Sequence, residues 1–356
     1  MIDSRDHDPI ERYWDYCATT PLSPEVIREM SDSLARDYPN PSSAHLWGLA
    51  ARDRIEDARL SLAKLLGVQA RELFFTGGAT ESNQIAILGT HARVSQPGHI
   101  ITQATEHSAV LGPFRALERR GFEITVLPVD SSGRIDVNQL KSLINERTQL
   151  ISIMHINNEI GTTHPIGEIA DLIAQTASPD CLFHVDGAQS TGKISIDLSA
   201  LGVDLFSLSA HKFYGPKGIG ALYVRRRSPR RPSLKLPPIS FGGDQERGLR
   251  PGTLATHQII GLGVAAEEAH ADLSSGGTDA LTEKVSLLWA GLRSLDPLAI
   301  RRGSGEAPHI LSVTLSPQIL ERIEEHWAHI AFSRGSACHS QRGQPSPILT
   351  ALGLSA

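Results

Sequence analysis

No run of apolar residues in the 356-residue chain approaches the length that crosses a bilayer. Cysteine is scarce: Cys17, Cys181 and Cys338 show no CxxC spacing and cannot all pair. Neither a zinc site nor a disulfide framework is indicated, and a reducing cytoplasm fits best. A basic surplus is missing as well. The 34 Lys and Arg residues against 39 Asp and Glu leave a formal net charge of -5. That balance argues against general nucleic-acid or anionic-membrane binding while allowing small polar substrates. Internal repeats and low-complexity tracts are absent, and the N-terminus Met1-Ile-Asp-Ser-Arg-Asp-His-Asp8 is polar and acidic. The expectation is a soluble cytoplasmic protein without a membrane partner. Its length calls for a large domain with a smaller one, and 40% hydrophobic content supports a core.

What the chain does have is alternation. An amphipathic stretch from about residue 53 to Leu66 precedes strand-like Glu72-Leu-Phe-Phe-Thr76 and a helix-like run after Glu81. Further strand candidates are His99–Thr102, Glu123–Leu127, Leu150–Met154, Leu182–Val185, Leu205–Leu208 and Gly220–Val224. Strands alternating with helices predict an α/β fold whose mainly parallel sheet is covered on both faces. Beyond the Pro-rich loop Ser228–Pro238, helix-like runs begin at His257 and Leu281, and Ser274–Thr278 marks a point near a domain boundary. The basic run Arg225-Arg-Arg227, Arg230-Arg231 and Lys235 reads as a solvated loop, or as a dock for an acidic acceptor protein or DNA.

Polar residues gather where these strands end. Lys212 follows the apolar strand Leu205-Phe-Ser-Leu and precedes a glycine-rich turn, the presentation a Schiff-base lysine needs. Asp186, 26 residues upstream, ends Phe183-His-Val. An amine and a carboxylate at neighbouring strand ends suit pyridoxal phosphate, whose aldehyde takes the amine and whose ring nitrogen takes the carboxylate. Thr76-Gly-Gly-Ala79-Thr80-Glu81-Ser82 lies between a strand and a helix, so its amides are placed for a phosphate, although it lacks the ending of a nucleotide P-loop. His107 is either a helix cap or a ring that stacks on the cofactor, and Asn157-Asn158-Glu159 either a local turn or a contact to a cofactor oxygen. Ser209 and His211 flank the lysine as phosphate donors, and Gln189 follows Asp186 by three residues. Taken singly, Lys212 reads as a surface lysine and Asp186 as a cap; their convergence on the carboxyl edge of one sheet favours a single site.

These segments, with Asp15-Tyr-Cys-Ala-Thr-Thr-Pro21, Asn40-Pro-Ser-Ser-Ala-His45, His155–Gly161, His184–Ser190, Arg250-Pro-Gly-Thr253 and Ser333-Arg-Gly-Ser-Ala-Cys338, resemble the cysteine desulfurases. That group is a branch of the class V aminotransferases with the pyridoxal-phosphate fold type I. The resemblance runs from Tyr13 to the C-terminus. It implies a large cofactor-binding domain over residues 19–265 and a smaller α+β domain from 1–18 and 266–356. Lys212 then carries the cofactor, Asp186 pairs its ring nitrogen, Gln189 contacts the ring hydroxyl and His107 stacks on the ring. Ala79, Thr80, Ser209 and His211 bind phosphate, Asn158 contributes to the cofactor site, and Thr253 reaches the phosphate of a neighbouring subunit, so a homodimer is implied.

Cys338 lies in a small, polar, glycine-bounded segment beside Arg334, His339 and Arg342, positive neighbours of the kind that lower a thiol pKa. The resemblance makes it the residue that takes sulfur from L-cysteine as a persulfide, leaving L-alanine, with Lys212 as general base and His107 as proton carrier. Cys181 reads as core, and Cys17 receives no chemistry. The persulfide would pass to a sulfur-acceptor protein serving iron-sulfur cluster assembly, tRNA thiolation or DNA phosphorothioation. In relatives an arginine beyond the position of Ala356 clamps the substrate carboxylate; the resemblance therefore implies either a truncated form or another residue, such as Arg334 or Arg342, in that role. The competing readings are a low-turnover cofactor-binding partner of a sulfur-transfer complex, a selenocysteine lyase, and an aminotransferase, which would not need Cys338. No metal site is expected.

Overall fold

The computed structural model describes residues 13–226, 234–326, 330–333 and 346–354. Seven strands form its main sheet: β1 (Leu73–Thr76), β2 (His99–Gln103), β3 (Glu123–Leu127), β4 (Thr148–Ser152), β5 (Leu182–Asp186), β6 (Leu205–Ser209) and β7 (Gly220–Val224). Their spatial order is β1-β7-β6-β5-β4-β2-β3. The pairs β6–β5, β5–β4, β4–β2 and β2–β3 are parallel, while β7 runs antiparallel to both β1 and β6. The carboxyl ends of every strand but β7 therefore share one edge, as the alternating sequence predicts.

Both faces of the sheet are dry, and the strands show why. Ile100 and Ile101, Leu150 and Ile151, Leu182 and Phe183, Leu205 and Phe206 are consecutive, yet the members of each pair lie in different hydrophobic clusters. Successive side chains leave a strand on opposite faces, so a strand buried on both must be apolar throughout. The helices α3 (Ala79–Arg93) and α4 (Ser108–Glu118) cover one face through Ile85, Ile87, Val110 and Phe114. The other face is covered by α1 (Pro24–Arg36), α2 (Leu46–Leu66), α6 (Ile166–Thr176) and α8 (Thr256–Ser274), which contribute Val26, Ile55, Leu62, Ile169, Ile259 and Leu262. The short α5 (Val137–Leu143) and α7 (Leu198–Leu201) complete the crossovers.

Helix boundaries follow local chemistry. Ser23 accepts the Val26 N–H at 3.1 Å just before Pro24, fixing the start of α1. Gly67 adopts the left-handed conformation (φ 66°) that stops α2. The amphipathic run expected from residue 53 begins seven residues earlier, at Leu46, because His45 caps it by accepting the Gly48 N–H at 3.1 Å. The strand expected at Leu150–Met154 runs instead from Thr148 to Ser152. Met154 turns its N–H to the buried Glu106 carboxyl at 2.5 Å and leaves the ladder. Beyond α9 (Gly277–Leu295), a two-stranded sheet of β8 (Ile300–Arg301) and β9 (Val313–Thr314) precedes α10 (Pro317–His326) and α11 (Pro347–Ala351). Among the described residues no helix is long and apolar enough to cross a membrane.

Candidate active site

The carboxyl edge of the sheet brings five strand ends together. At the end of β6, Ser209 is buried and Lys212 closes a single 3-10 turn. The Lys212 Nζ donates to the carbonyls of Cys17 at 2.6 Å and Ala18 at 2.8 Å, so the N-terminal segment holds the amine. The same Cys17 carbonyl accepts the Gln189 Nε2 at 2.9 Å. His211 shares a hydrogen bond with Thr19 Oγ1 at 3.1 Å. Burial, with the charges of Lys212 and Lys217, pushes its imidazole down to about 4, so it is neutral at physiological pH.

Asp186 ends β5 with little of its surface exposed. Its Oδ1 accepts the Ala188 N–H at 3.0 Å, the local turn contact that the sequence allowed, and its Oδ2 accepts the Asn83 Nδ2 at 2.7 Å. Two donors hold the carboxylate, and among the described residues no salt bridge neutralises it. Glu106, wholly buried beyond β2, feels that charge: burial first and Asp186 second hold its carboxyl well above the ordinary range. His107 does cap a helix, since its Nδ1 accepts the Ala109 N–H at 3.1 Å at the start of α4. That contact places the ring proton of the neutral imidazole on Nε2.

Ala79 and Thr80 open α3, a 15-residue helix whose N-cap, Gly78, offers no side-chain acceptor to the first-turn amides. Gly78 has φ 135°, and a Cβ built there would stand 3.5 Å from Ser209 Oγ. Thr80 and His107 together line a cleft of about 430 Å³ with Gln84, Leu88, Ala109 and Pro113. Asn158 sits in the turn after β4, where its Oδ1 is buried without a hydrogen-bond partner among the described residues. Thr253 is exposed on the loop before α8. Cys338, Arg334, His339 and Arg342 lie outside the described residues, but both flanks of their segment are tied down. Ser333 Oγ donates to Asp15 Oδ2 at 2.7 Å, and Ser346 Oγ to Glu159 Oε2 at 2.6 Å.

The structure thus gathers Lys212, Asp186, Gln189, Ser209 and His211 at one sheet edge, with Ala79, Thr80, His107 and Asn158 on adjacent strand ends. Sequence reasoning did not single out Asn83 or Glu106, which lie beside the carboxylate, nor His309, whose Nε2 is 3.3 Å from Gln189 Oε1. None of the three sits in a pattern that announces it; each is found only through its spatial neighbour. Cys181 is fully buried, and burial pushes the Cys17 thiol up to about 11, which leaves it protonated. Among the described residues no group of three or more His, Cys, Asp and Glu is arranged to hold a metal ion.

These residues fit pyridoxal phosphate. The uncapped amides of α3 beside the Ser209 hydroxyl would receive its phosphate, the held Asp186 carboxylate its ring nitrogen, and the Lys212 amine at the end of β6 its aldehyde. The comparisons point the same way. The aminotransferase class-V family matches residues 12–355. A cysteine desulfurase IscS from Shewanella sediminis is 44% identical over 348 residues, covering 96% of this chain and 84% of its own. Among solved structures, SspA in complex with cysteine superposes with a TM-score of 0.84 at 38% identity, over 97% of this chain and 95% of that one. DndA from Streptomyces lividans superposes at 0.79 and 35% identity, over 95% and 94%. With the parallel sheet and the lysine at its carboxyl edge, this places the chain in the class-V aminotransferases, a pyridoxal-phosphate-dependent family, on its cysteine desulfurase branch.

Proposed function

We propose that this chain binds pyridoxal phosphate through Lys212 and converts L-cysteine to L-alanine, with Cys338 receiving the sulfur as a persulfide for an acceptor protein. The observation that carries the reading is the meeting of Lys212, Asp186 and Gln189 at one sheet edge, beside the open end of α3. When bound, the cofactor supplies an aldehyde for amines and a protonated ring that stores electrons released at the substrate Cα.

The chain's own residues account for the rest. Asp186, held by Asn83 and the Ala188 amide, stays fixed toward the ring nitrogen. Ala79 and Thr80 amides, Ser209 and neutral His211 would donate to the phosphate, and Asn158 offers a buried amide oxygen that no other described residue partners. Lys212 Nζ would remove the α-proton as general base; two backbone carbonyls define where that amine is held. His107 would be the proton carrier at the substrate thiol, the cap on Nδ1 leaving Nε2 as the nitrogen that gives up and takes back the proton. The Cys338 sulfur attacks the substrate sulfur: a sulfur-sulfur bond forms, the carbon-sulfur bond breaks, and the Cα and Cβ positions take protons to give alanine. Nothing in this balance needs an external oxidant or reductant.

The same reading assigns residues 19–265 to cofactor binding and 1–18 with 266–356 to a smaller domain. It also makes the active form a homodimer. Thr253 is exposed, and Tyr38, Leu46, Trp47 and Phe241 are 82%, 80%, 71% and 88% exposed, apolar side chains that a second copy of the chain would cover. The solved SspA structure with cysteine supports L-cysteine as substrate. The test is incubation of the purified protein with pyridoxal phosphate and L-cysteine. Equal yields of alanine and sulfide in the presence of a reductant, both lost in Cys338→Ser, are expected. Cofactor binding without alanine in the wild type would leave only a cofactor-binding partner protein.

A further inference from the structure

Gln189 has an amide whose two ends differ, and only one orientation offers a hydrogen bond donor toward Lys212. The Cys17 carbonyl fixes that orientation on one side: it accepts both Gln189 Nε2 at 2.9 Å and Lys212 Nζ at 2.6 Å, so amide and amine meet on one oxygen. A flipped amide would set Oε1 against this carbonyl, acceptor against acceptor. With Nε2 on Cys17, Gln189 Oε1 faces His309 Nε2 at 3.3 Å. An imidazole nitrogen facing a carbonyl oxygen must carry the proton, which leaves Nδ1 bare. In keeping with this, His309 Nδ1 is buried with no hydrogen-bond partner among the described residues.

Packing delivers His309 to this place. Ala307 and Ile310 form a small apolar cluster with Ile156, against which Cys17 and Ile194 pack. The Ala307 N–H donates to the Gly161 carbonyl at 3.3 Å, which joins the loop before β9 to the turn carrying Asn158. The Cys17 thiol lies 4.0 Å from the His309 carbonyl, closing a ring of contacts from His309 through Gln189 and Cys17 back to His309. Burial and the nearby charges of Lys193 and Lys212 keep the imidazole neutral, pushing it down to about 3, so no doubly protonated ring competes across the physiological range.

We propose that His309 is a positioning residue for the cofactor site: by donating Nε2–H to Gln189 Oε1 it locks the glutamine amide with its NH2 group on the Lys212 side. This rests on the reading that Gln189 meets the ring hydroxyl of pyridoxal phosphate. An ionised ring hydroxyl accepts hydrogen bonds, so the locked amide offers it a donor, whereas a free amide would present its oxygen part of the time.

Two measurements test this. In cofactor-free protein labelled with 15N-histidine, NMR should find His309 as the neutral Nε2–H tautomer; the Nδ1–H tautomer would overturn the proposal even if the protein is an active desulfurase. Pyridoxal phosphate titration would then compare His309→Leu, which keeps bulk but loses the donor, with His309→Gln, which restores an N–H. His309→Leu should weaken binding roughly tenfold and shift the absorbance of the bound cofactor. His309→Gln should recover most of the affinity. In a Gln189→Leu background His309→Leu should have no further effect. An equal loss in both backgrounds, or none in either, would sink the proposal. Failure of the wild type to bind pyridoxal phosphate would overturn the functional reading itself, while the tautomer still decides how His309 meets Gln189.

Discussion

Glu246 offers the sharpest test of how the site's frame is held. Its carboxylate and the Arg59 guanidinium are 1% and 3% exposed and meet through two hydrogen bonds of 2.8 Å. Glu246 also accepts the Phe75 N–H at 2.6 Å, and Arg59 donates to the Leu73 carbonyl at 3.0 Å while lying over the Phe75 ring at 4.4 Å. The pair therefore clamps the edge of β1, the strand that leads into the turn from Thr76 to Ser82. It also holds Glu246 and Arg247 at positive φ (47° and 56°), which side chains rarely adopt without support. Glu246→Gln keeps shape and an oxygen for Phe75 but leaves the buried guanidinium with the half-exposed Glu56 carboxylate, 3.2 Å away, as its one charged partner among the described residues. Because Glu56 still pairs one edge of the guanidinium, the expected loss is about 3 kcal/mol, the lower end for a broken buried pair. The double change Arg59→Met with Glu246→Leu removes both charges and leaves mainly the Phe75 N–H unpaired, for a loss of about 1–3 kcal/mol. Urea unfolding followed by far-UV circular dichroism should therefore rank wild type above the double variant, and the double above Glu246→Gln. A double variant less stable than Glu246→Gln would refute the argument that the stranded charge dominates.

Four further outcomes are expected. Burial pushes His155 and His164 down to about 4 and His184 and His309 to about 3. Because their folded pKa values lie below the unfolded one near 6.5, stability is full above pH 6.5 and falls as the pH drops toward 4; each costs roughly 2 kcal/mol at pH 5. A melting temperature that stays flat from pH 7.5 to 5 would contradict this. Ser346→Ala removes the tether to Glu159, so alanine formation should slow several-fold while bound cofactor absorbance is unchanged; loss of cofactor instead would place the tether's effect elsewhere. Lys212→Ala should lose the covalent link, so borohydride treatment of the cofactor-soaked variant leaves no cofactor on the denatured protein, unlike wild type. Gly187→Ala would drive a methyl into the Phe206 ring beside Asp186; destabilisation of about 1–3 kcal/mol, read by thermal melting, is expected.

Much of the site was legible in the chain because strand ends are local. Apolar runs broken by Asp186, Ser209 and Lys212 announce where a buried strand reaches the edge of the sheet. The turn from Thr76 to Ser82 shows its glycines in the same way. His107 carried two readings, cap and cofactor contact. The structure establishes the cap, and the cap itself fixes the proton on Nε2.

The sequence by itself determined the alternation of strands and helices, hence the parallel sheet, and the identity of the residues at its carboxyl edge, because both follow from short-range pattern. Tertiary structure alone decided what those residues touch. Asn83 reaches Asp186 across 103 positions, Glu246 reaches Phe75 across 171, and Lys212 is received by a carbonyl 195 positions away. His309 meets Gln189 across 120. A buried polar group must find its partner wherever the fold places one, and no periodicity in the chain records that distance.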